Sequence, residues 1–314
     1  MRINKAVELL EQRQPVYFEF VDANGAGKYD GDAGEYDAGR ALAQTWADYI
    51  TYDMEHSALD VRGLMRFMRG LVDGGPTRSG HRTPAVIVTL PIDGTDEQSV
   101  RASGWMIKQV LATGVHGLLL CHAESPEAVR ALVEAARYSF HASSGHASTG
   151  HASSGHGDGG PELGAGRRGH GGQTRAAEIW GVAPGEYLAR ADPWPLDPRG
   201  ELLLGIKVEN KRALAVVERT TRVPGIAFAE WGPGDMGMSM GYPDQHDEPY
   251  PAEMRAARAR VMGACKAAGL AFLEAVTPEN VIGRIEEGVM IGCGPRAQEA
   301  ADIGRRHTRR ALAW

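Results

Sequence analysis

Two acidic residues in the second half of the chain end apolar segments, and their chemistry suits a metal ion. Glu209 stands at the end of GIKVE, and Asp235 lies in GPGDM, shortly after the next apolar segment. Carboxylate oxygens are preferred ligands of hard cations such as Mg²⁺ and Mn²⁺. The pair therefore predicts a divalent-metal site, although each carboxylate taken alone could equally cap a helix or pair with a nearby cation.

A second candidate group lies in the segment YDMEHS, where Asp53 and His56 are close in sequence. A carboxylate near a histidine can orient the imidazole, and an imidazole so held can act as a general base near neutral pH. The spacing therefore predicts a catalytic pair. A surface histidine beside an N-capping aspartate is the commoner explanation of the same pattern.

The glycines of GPGDM add possible backbone donors to this set. A Gly-Pro-Gly turn that opens a helix leaves the first amide groups without a helical partner. The amides of Gly234 and Asp235 would then suit the carboxylate of a substrate.

These residues need elements that bring them together, and the chain alternates short apolar segments with amphipathic helical patterns. That alternation favours a parallel sheet covered by helices. A (β/α)₈ TIM barrel fits because the carboxyl ends of all its strands meet at one face. A doubly wound open sheet fits nearly as well, but no GxGxxG follows the first strand. The predicted strands are Val16–Phe20, Tyr49–Asp53, Ala85–Leu90, Gly117–Cys121, Leu202–Glu209, Ile226–Trp231, Ala271–Glu274 and Val289–Ile291.

The composition narrows the class of protein. The 314 residues are 43% apolar and 24% charged, with a net charge of −6 and no long basic run. This predicts one α/β domain over residues 1–314, with neither a nucleic-acid nor a membrane partner. The three cysteines show no CxxC spacing, which favours a reducing compartment, and we expect a cytoplasmic protein.

One segment departs from the alternation, because residues 141–160 read HASSGHASTGHASSGHGDGG. So few apolar side chains predict a solvated loop insertion over about residues 141–165. Metal capture by its histidines is the alternative. A long connection on the catalytic side of a barrel usually forms a lid or a subunit contact, and we expect one of these roles here. The repeat histidines are His141, His146, His151 and His156.

Several segments together resemble the HpcH/HpaI aldolase family. The segments are YDMEHSALDVRGL, ATGVHGLLL, RRGHGGQTRAAEIWG, IKVEN and VPGIAFAEWGPGDMGMSMGYP. The resemblance implies a (β/α)₈ barrel of the phosphoenolpyruvate/pyruvate type, with its C-terminal helix exchanged between the subunits of a homo-oligomer, a hexamer or a trimer of dimers.

The resemblance also implies roles for the candidate residues. Glu209 and Asp235 would hold Mg²⁺ or Mn²⁺. Pyruvate would chelate this ion and place its carboxylate on the amides of Gly234 and Asp235. His56, oriented by Asp53, would move the proton.

Three positions depart from the family pattern. Thr89 stands where the family typically has an arginine, and a hydroxyl cannot replace a guanidinium charge. Lys207 replaces a glutamine before Glu209, and we expect it to restore positive charge as a catalytic residue. A Schiff-base lysine is the alternative. We expect Thr89 and His122 to face the substrate, with His122 either as an acid–base group or as a supporting residue.

The sequence thus predicts a class II aldolase that cleaves or forms a C–C bond of a 2-oxo acid through a pyruvate enolate, with an aldehyde as the other partner. A metal-dependent decarboxylase or other lyase of a different organic acid is one alternative. A barrel with weakened catalysis that serves in binding or assembly is the other.

Overall fold

A barrel of parallel strands forms the centre of the computed structural model, which describes residues 2–22, 34–141 and 163–310. The neighbouring strands run β1-β2-β3-β4-β6-β7-β8-β9, and β9 pairs with β1 to close the ring. The two-residue β5 pairs with the start of β6. The strands are β1 (Val16–Asp22), β2 (Tyr49–Asp53), β3 (Ala85–Asp93), β4 (Gly117–Cys121), β5 (Pro193–Trp194), β6 (Leu202–Val208), β7 (Phe228–Trp231), β8 (Ala271–Ala275) and β9 (Val289–Cys293).

This architecture confirms the predicted (β/α)₈ TIM barrel, and each predicted strand is found in place. Small differences remain at strand ends: Glu209 lies just beyond β6, and Ile226 precedes β7. The short β5 had no counterpart in the sequence prediction.

Helices cover the outer surface of the barrel. They are α1 (Lys5–Glu11), α2 (Gly34–Leu42), α3 (Val61–Asp73), α4 (Glu97–Ala102), α5 (Gly104–Ala112), α6 (Pro126–Ala136), α7 (Gln173–Trp180), α8 (Pro184–Arg190), α9 (Lys211–Ala215), α10 (Val217–Thr220), α11 (Pro233–Met240), α12 (Ala252–Ala268), α13 (Val281–Glu287) and α14 (Ala297–His307). Ser125 caps α6 by accepting the N–H groups of Glu127 and Ala128, because a hydroxyl at this position satisfies amides that lack a helical partner. No helix within the described ranges has the length and apolar character needed to span a bilayer.

The barrel interior changes from apolar to polar along the strands. Its N-terminal part holds Val16, Phe18, Tyr49, Ala85, Ile87, Leu119, Leu203, Leu273 and Ile291, together with Ala6, Val7, Leu9 and Leu10 of α1. Toward the carboxyl ends the register pairs Asp53 with Thr89 and Lys207 with Glu230. Side chains two residues apart on a strand share a face, so these polar groups lie above the apolar layers. A candidate polar pocket therefore lies at the carboxyl face of the barrel.

Glycines permit a close contact between α2 and α3. A Cβ added at Gly39 would lie 2.2 Å from the Phe67 carbonyl oxygen, and one added at Gly70 would lie 2.1 Å from that of Tyr36. Any larger residue at either position would have to push the two helix backbones apart.

The residues that flank the histidine repeat lie at the opposite end of the barrel from this pocket. The repeat follows α6, which returns the chain from the carboxyl end of β4 to the edge where β6 begins. His141 lies 3.1 Å from the Asp192 carboxylate, and the Asp192 carbonyl accepts the Leu202 N–H at the start of β6. The expectation that this connection lies on the catalytic side is therefore wrong. The repeat histidines at 146, 151 and 156 lie outside the described residues.

Helix α14 packs on its own barrel, against β1, β9 and α13. Its end is tied to the start of β2 through the buried Asp48, which pairs with Arg305 at 3.2 Å and with Arg310. Lys5 of α1 lies 3.1 Å from the same carboxylate. Exchange of the C-terminal helix between subunits stays a prediction about the oligomer.

Candidate active site

The carboxyl ends of β2 and β6 and the first turn of α11 bring the predicted site residues to one face. Asp53 ends β2, Lys207 lies near the end of β6 with Glu209 just after it, and Asp235 lies in α11. Parallel strands of a closed barrel present these ends together.

Four side chains form a group that could hold a metal ion. Glu209 and Asp235, the predicted ligands, lie with Glu55 and His122, and one ligand atom from each falls within 4.8 Å of all the others. Three carboxylates and an imidazole make a donor set of oxygen and nitrogen that fits a divalent cation. Glu55 is also part of a neighbouring group with Asp53 and His56.

Glu209 is held at the centre of this group. It is 1% exposed, and its Oε1 accepts the backbone N–H of His122 at 2.9 Å. Its Oε2 lies 3.2 Å from Lys207 Nζ. Burial raises the pKa of the Glu209 carboxyl, and the Lys207 charge opposes that shift. Gly232 leaves room for this side chain, because a Cβ there would lie 2.6 Å from Glu209 Cβ.

Lys207 lies among carboxylates inside the barrel. Its Nζ donates to Glu55 Oε2 at 2.6 Å, and its strand register places it beside Glu230. Burial acts to lower the pKa of Lys207, but the Glu230 and Glu209 carboxylates outweigh it and raise that pKa well above the usual range. A lysine must be neutral to attack a carbonyl. This environment therefore favours a fixed positive charge and disfavours the Schiff-base alternative.

His56 and Asp53 form the expected pair. His56 Nδ1 lies 2.7 Å from Asp53 Oδ2, while Asp53 Oδ1 accepts the Glu55 N–H at 2.9 Å. The bond to Asp53 raises the pKa of His56. The Asp53 side chain is buried and that of His56 is 65% exposed. A rigid carboxylate thus holds one ring nitrogen, and the other is free to face a substrate.

His122, which we expected to face the substrate, lies in the group that could hold a metal ion. Its φ of +46° is in the left-handed region, which non-glycine residues rarely adopt. Its Nδ1 lies 3.4 Å from Glu209 Oε1 and 3.1 Å from Asn210 Nδ2. Asn210 also donates to Glu124.

The remaining predicted residues lie at the same face. Thr89 is buried and pairs with Asp53 in the β2–β3 register, so an uncharged hydroxyl occupies this position. Gly234 and Asp235 lie in the first turn of α11, where the first helical bond runs from the Met236 N–H to the Gly232 carbonyl. Their amides precede that bond, as the sequence predicted.

Sequence reasoning missed three residues of the site: Glu55, Asn210 and Glu230. Glu55 stands inside the DMEHS motif, where Asp53 and His56 were assigned roles and Glu55 was not. Glu230 of β7 lies beside Lys207 of β6 in the strand register. The alternation of side chains along β7 could have indicated that Glu230 shares this side of the sheet. Burial raises the pKa of Glu230 to about 7. Asn210 directly follows Glu209, and no signal in the sequence indicated its contact with His122.

Comparisons with known proteins show which proteins this chain is similar to. The sequence model of the HpcH/HpaI aldolase/citrate lyase family matches residues 93–290, a range that contains Glu209 and Asp235. A hydroxypyruvate/pyruvate aldolase from Paraburkholderia phytofirmans is 25% identical over 74% of this chain and 72% of its own length. A 2-keto-3-deoxy-L-rhamnonate aldolase from Salmonella schwarzengrund is 28% identical over 71% of this chain and 65% of its own.

Solved structures share the fold at lower identity. An HpcH/HpaI aldolase/citrate lyase family protein from Burkholderia cenocepacia is 22% identical with a TM-score of 0.67, over 98% of each chain. A citrate lyase beta subunit from M. tuberculosis, complexed with oxaloacetate and magnesium, is 14% identical with a TM-score of 0.51, over 94% of this chain and 97% of its own.

Proposed function

Because this chain belongs to the HpcH/HpaI aldolase/citrate lyase family, a family of carbon–carbon lyases, we propose that it is a divalent-metal-dependent aldolase acting on a 2-oxo acid. The observation that supports this most directly is the ligand group of Glu55, His122, Glu209 and Asp235 beside the His56–Asp53 pair. The relatives at 25% and 28% identity are named as a hydroxypyruvate/pyruvate aldolase and a 2-keto-3-deoxy-L-rhamnonate aldolase.

The proposed roles follow from what each group can reach. Glu209 and Asp235 would hold Mg²⁺, Mn²⁺ or a similar ion, which would supply Lewis-acid stabilisation of charge developing on the 2-oxo acid. The amides of Gly234 and Asp235 bind the substrate carboxylate. His56 takes the proton of the aldol hydroxyl as the C–C bond breaks and returns it to C3 of the enolate to give pyruvate, and Asp53 keeps the His56 ring in place.

Lys207 supplies positive charge that Thr89 cannot provide. Its ammonium lies 2.6 Å from Glu55 and 3.2 Å from Glu209, so its charge lies beside two carboxylates of the proposed ligand group. Cleavage in this scheme yields pyruvate and an aldehyde, and addition of the pyruvate enolate to the aldehyde is the reverse reaction.

Exchange of the C3 protons of pyruvate in D₂O, followed by NMR, tests this proposal without the aldehyde. We expect exchange with Mg²⁺ or Mn²⁺, loss of exchange with EDTA and in Glu209→Ala, and slower exchange in His56→Ala. Glu299→Ala is the matched control, because this carboxylate lies on α14 and pairs with Arg296 at the surface. An absence of exchange with every divalent ion tested would contradict the proposal and favour lyase chemistry on a different acid, or a binding role.

The proposed assembly is a homo-oligomer, a hexamer or a trimer of dimers. Three apolar side chains at the carboxyl face support a covered surface there: Phe20 is 53% exposed, Leu59 41% and Met238 66%. Light scattering after size-exclusion chromatography measures the mass directly, and a monomer at micromolar concentration would contradict this proposal.

A further inference from the structure

The backbone conformation and the contacts of His122 point to a role beside the three carboxylates. Its backbone is held at a φ of +46°, and its N–H donates to Glu209 Oε1 at 2.9 Å. Conformations of this kind persist where the surrounding structure determines them, often at functional sites. The constraint directs the imidazole toward the predicted metal ligands, since His122 Nδ1 lies 3.4 Å from the same Glu209 oxygen.

The hydrogen bonds of Asn210 define which ring nitrogen of His122 carries a lone pair. Asn210 Oδ1 accepts the N–H groups of Arg212 and Ala213 at the start of α9. Its Nδ2 therefore faces His122 Nδ1 at 3.1 Å and can only donate to it, which places the ring proton on Nε2 and the lone pair on Nδ1. That lone pair has room for one partner, so an ion bound at Nδ1 would replace the Asn210 N–H there, while Asn210 Nδ2 keeps its bond to Glu124 Oε1. Glu209 Oε1 lies 3.4 Å from the same nitrogen, and a cation shared by these two acceptors would remove the repulsion between them.

The distances suit a shared ion. Metal bonds to imidazole nitrogen and carboxylate oxygen are about 2.0–2.2 Å long, so adjacent ligands of one ion lie roughly 3–3.5 Å apart. The separation of 3.4 Å between His122 Nδ1 and Glu209 Oε1 falls in that interval. The ligand atoms of Glu55 and Asp235 lie within 4.8 Å of both.

We propose that His122 is a nitrogen ligand of the metal and makes this site prefer a transition ion such as Co²⁺ or Zn²⁺ to Mg²⁺. Mg²⁺ strongly favours oxygen ligands and retained waters, whereas imidazole favours the later divalent ions. This inference rests on the proposed function and defines the ion that serves it. The carboxylates alone would form a site suited to Mg²⁺, and the imidazole changes that preference.

Pulsed EPR of the full-length protein loaded with Mn²⁺ tests the ligand directly, because a coordinated imidazole gives a ¹⁴N coupling. We expect the coupling in the wild-type protein, its loss in His122→Asn and its retention in His56→Asn. Asparagine is the matched substitution because it tolerates the left-handed backbone and keeps the N–H that Glu209 accepts. His56→Asn removes the other imidazole near the group. Coupling that is absent from the wild-type protein, or lost only in His56→Asn, would overturn the inference.

Calorimetric titration with Co²⁺ and Mg²⁺ gives an independent readout. We expect His122→Asn to weaken Co²⁺ binding by about tenfold or more and Mg²⁺ binding much less. Equal losses for both ions would also overturn the inference. Failure of the proposed function would look different, because no ion would then bind through Glu209 or support pyruvate exchange. Should His122→Asn not fold, the coupling in wild type and His56→Asn still decides the question.

Discussion

The bond between Asp53 and His56 determines which nitrogen of the imidazole is available for proton transfer. Asp53 Oδ2 accepts a hydrogen bond from His56 Nδ1 at 2.7 Å, so His56 Nε2 remains available to a substrate. Asp53→Asn keeps the size of the side chain but not its charge, so we expect pyruvate exchange to fall by about a hundredfold or more. NMR exchange rates measure this loss. Binding of the metal should weaken far less, and an equal loss of metal binding would mean that Asp53 acts as a ligand.

Gly232 is the residue that makes room for Glu209. A Cβ at this position would lie 2.6 Å from Glu209 Cβ and 2.8 Å from its Oε2. We expect Gly232→Ala to displace the carboxylate and to weaken metal binding by about tenfold or more. The thermal midpoint should also fall, because Glu209 Cβ has to move to make room.

Metal titration and thermal unfolding of the same samples check this prediction. Gly263→Ala on α12 is the control, because nothing lies within 4 Å of a Cβ there. Normal metal binding in Gly232→Ala would show that Glu209 has another position from which to bind the ion.

Sequence motifs indicated some residues of the site, whereas others could be assigned to the site only from their contacts in the folded structure. Asp53, His56, Glu209 and Asp235 stand in recognisable segments, and the structure brings them to one face. The place of His122 in the ligand group depends on a left-handed backbone and on Asn210, and local sequence preference determines neither. Glu230 reaches Lys207 through the strand register.

At the scale of elements, the contact between α2 and α3 depends on the absence of side chains. A Cβ at Gly70 would lie 2.1 Å from the Tyr36 carbonyl oxygen. Because that atom belongs to the backbone, neither helix can yield by rotating a side chain. We expect Gly70→Ala to lower the free energy of unfolding by about 1–3 kcal/mol.

Chemical denaturation measures this loss. Gly104→Ala, at the start of α5 with nothing within 4 Å, should leave the free energy of unfolding unchanged or raise it. A Gly70→Ala protein as stable as wild type would mean that the two helices can separate without cost.

The order of elements was predictable because apolar segments and amphipathic patterns alternate along the chain. The two-residue β5 was not predicted, since Pro193 and Trp194 show no strand pattern. The prediction that the histidine repeat lies on the catalytic side is wrong, although the order of elements in the sequence indicated the opposite side. A connection that begins where the helix after a strand ends starts at the amino edge of a parallel sheet, and the helical pattern of α6 directly precedes the repeat.

At the scale of the whole molecule, Asp48 joins three distant parts of the chain. It pairs with Lys5 of α1 and with Arg305 and Arg310 at the C-terminal end. Burial alone would raise the pKa of Asp48, but the arginines and Lys5 outweigh it and lower that pKa from 3.8 to about 2. The folded state therefore favours the charged carboxylate.

Stability should consequently depend on pH in acid. The contribution of Asp48 is fully present above its unfolded pKa, near 4, and is lost as the pH falls toward its folded value of about 2. From the size of this shift the contribution is about 2 kcal/mol.

Comparison of unfolding free energies between wild type and Asp48→Asn, from pH 7 down to pH 2, measures this contribution. The variant should be the less stable at pH 7, because three cations lose the negative charge of Asp48 beside them, and the difference should shrink in acid. A difference that stays constant over this interval would contradict the assignment to Asp48.

The ends of the connection between α6 and α7 open toward the side of the barrel away from the metal ligands, at His141 and Leu163. A protein with its candidate catalytic groups at one end of the barrel can be tethered at the other end without blocking the site. The segment already carries repeated histidines, so a nickel-charged support could immobilise the protein by the end of the barrel opposite the candidate site. A reporter domain spliced into the same place would leave the catalytic face open.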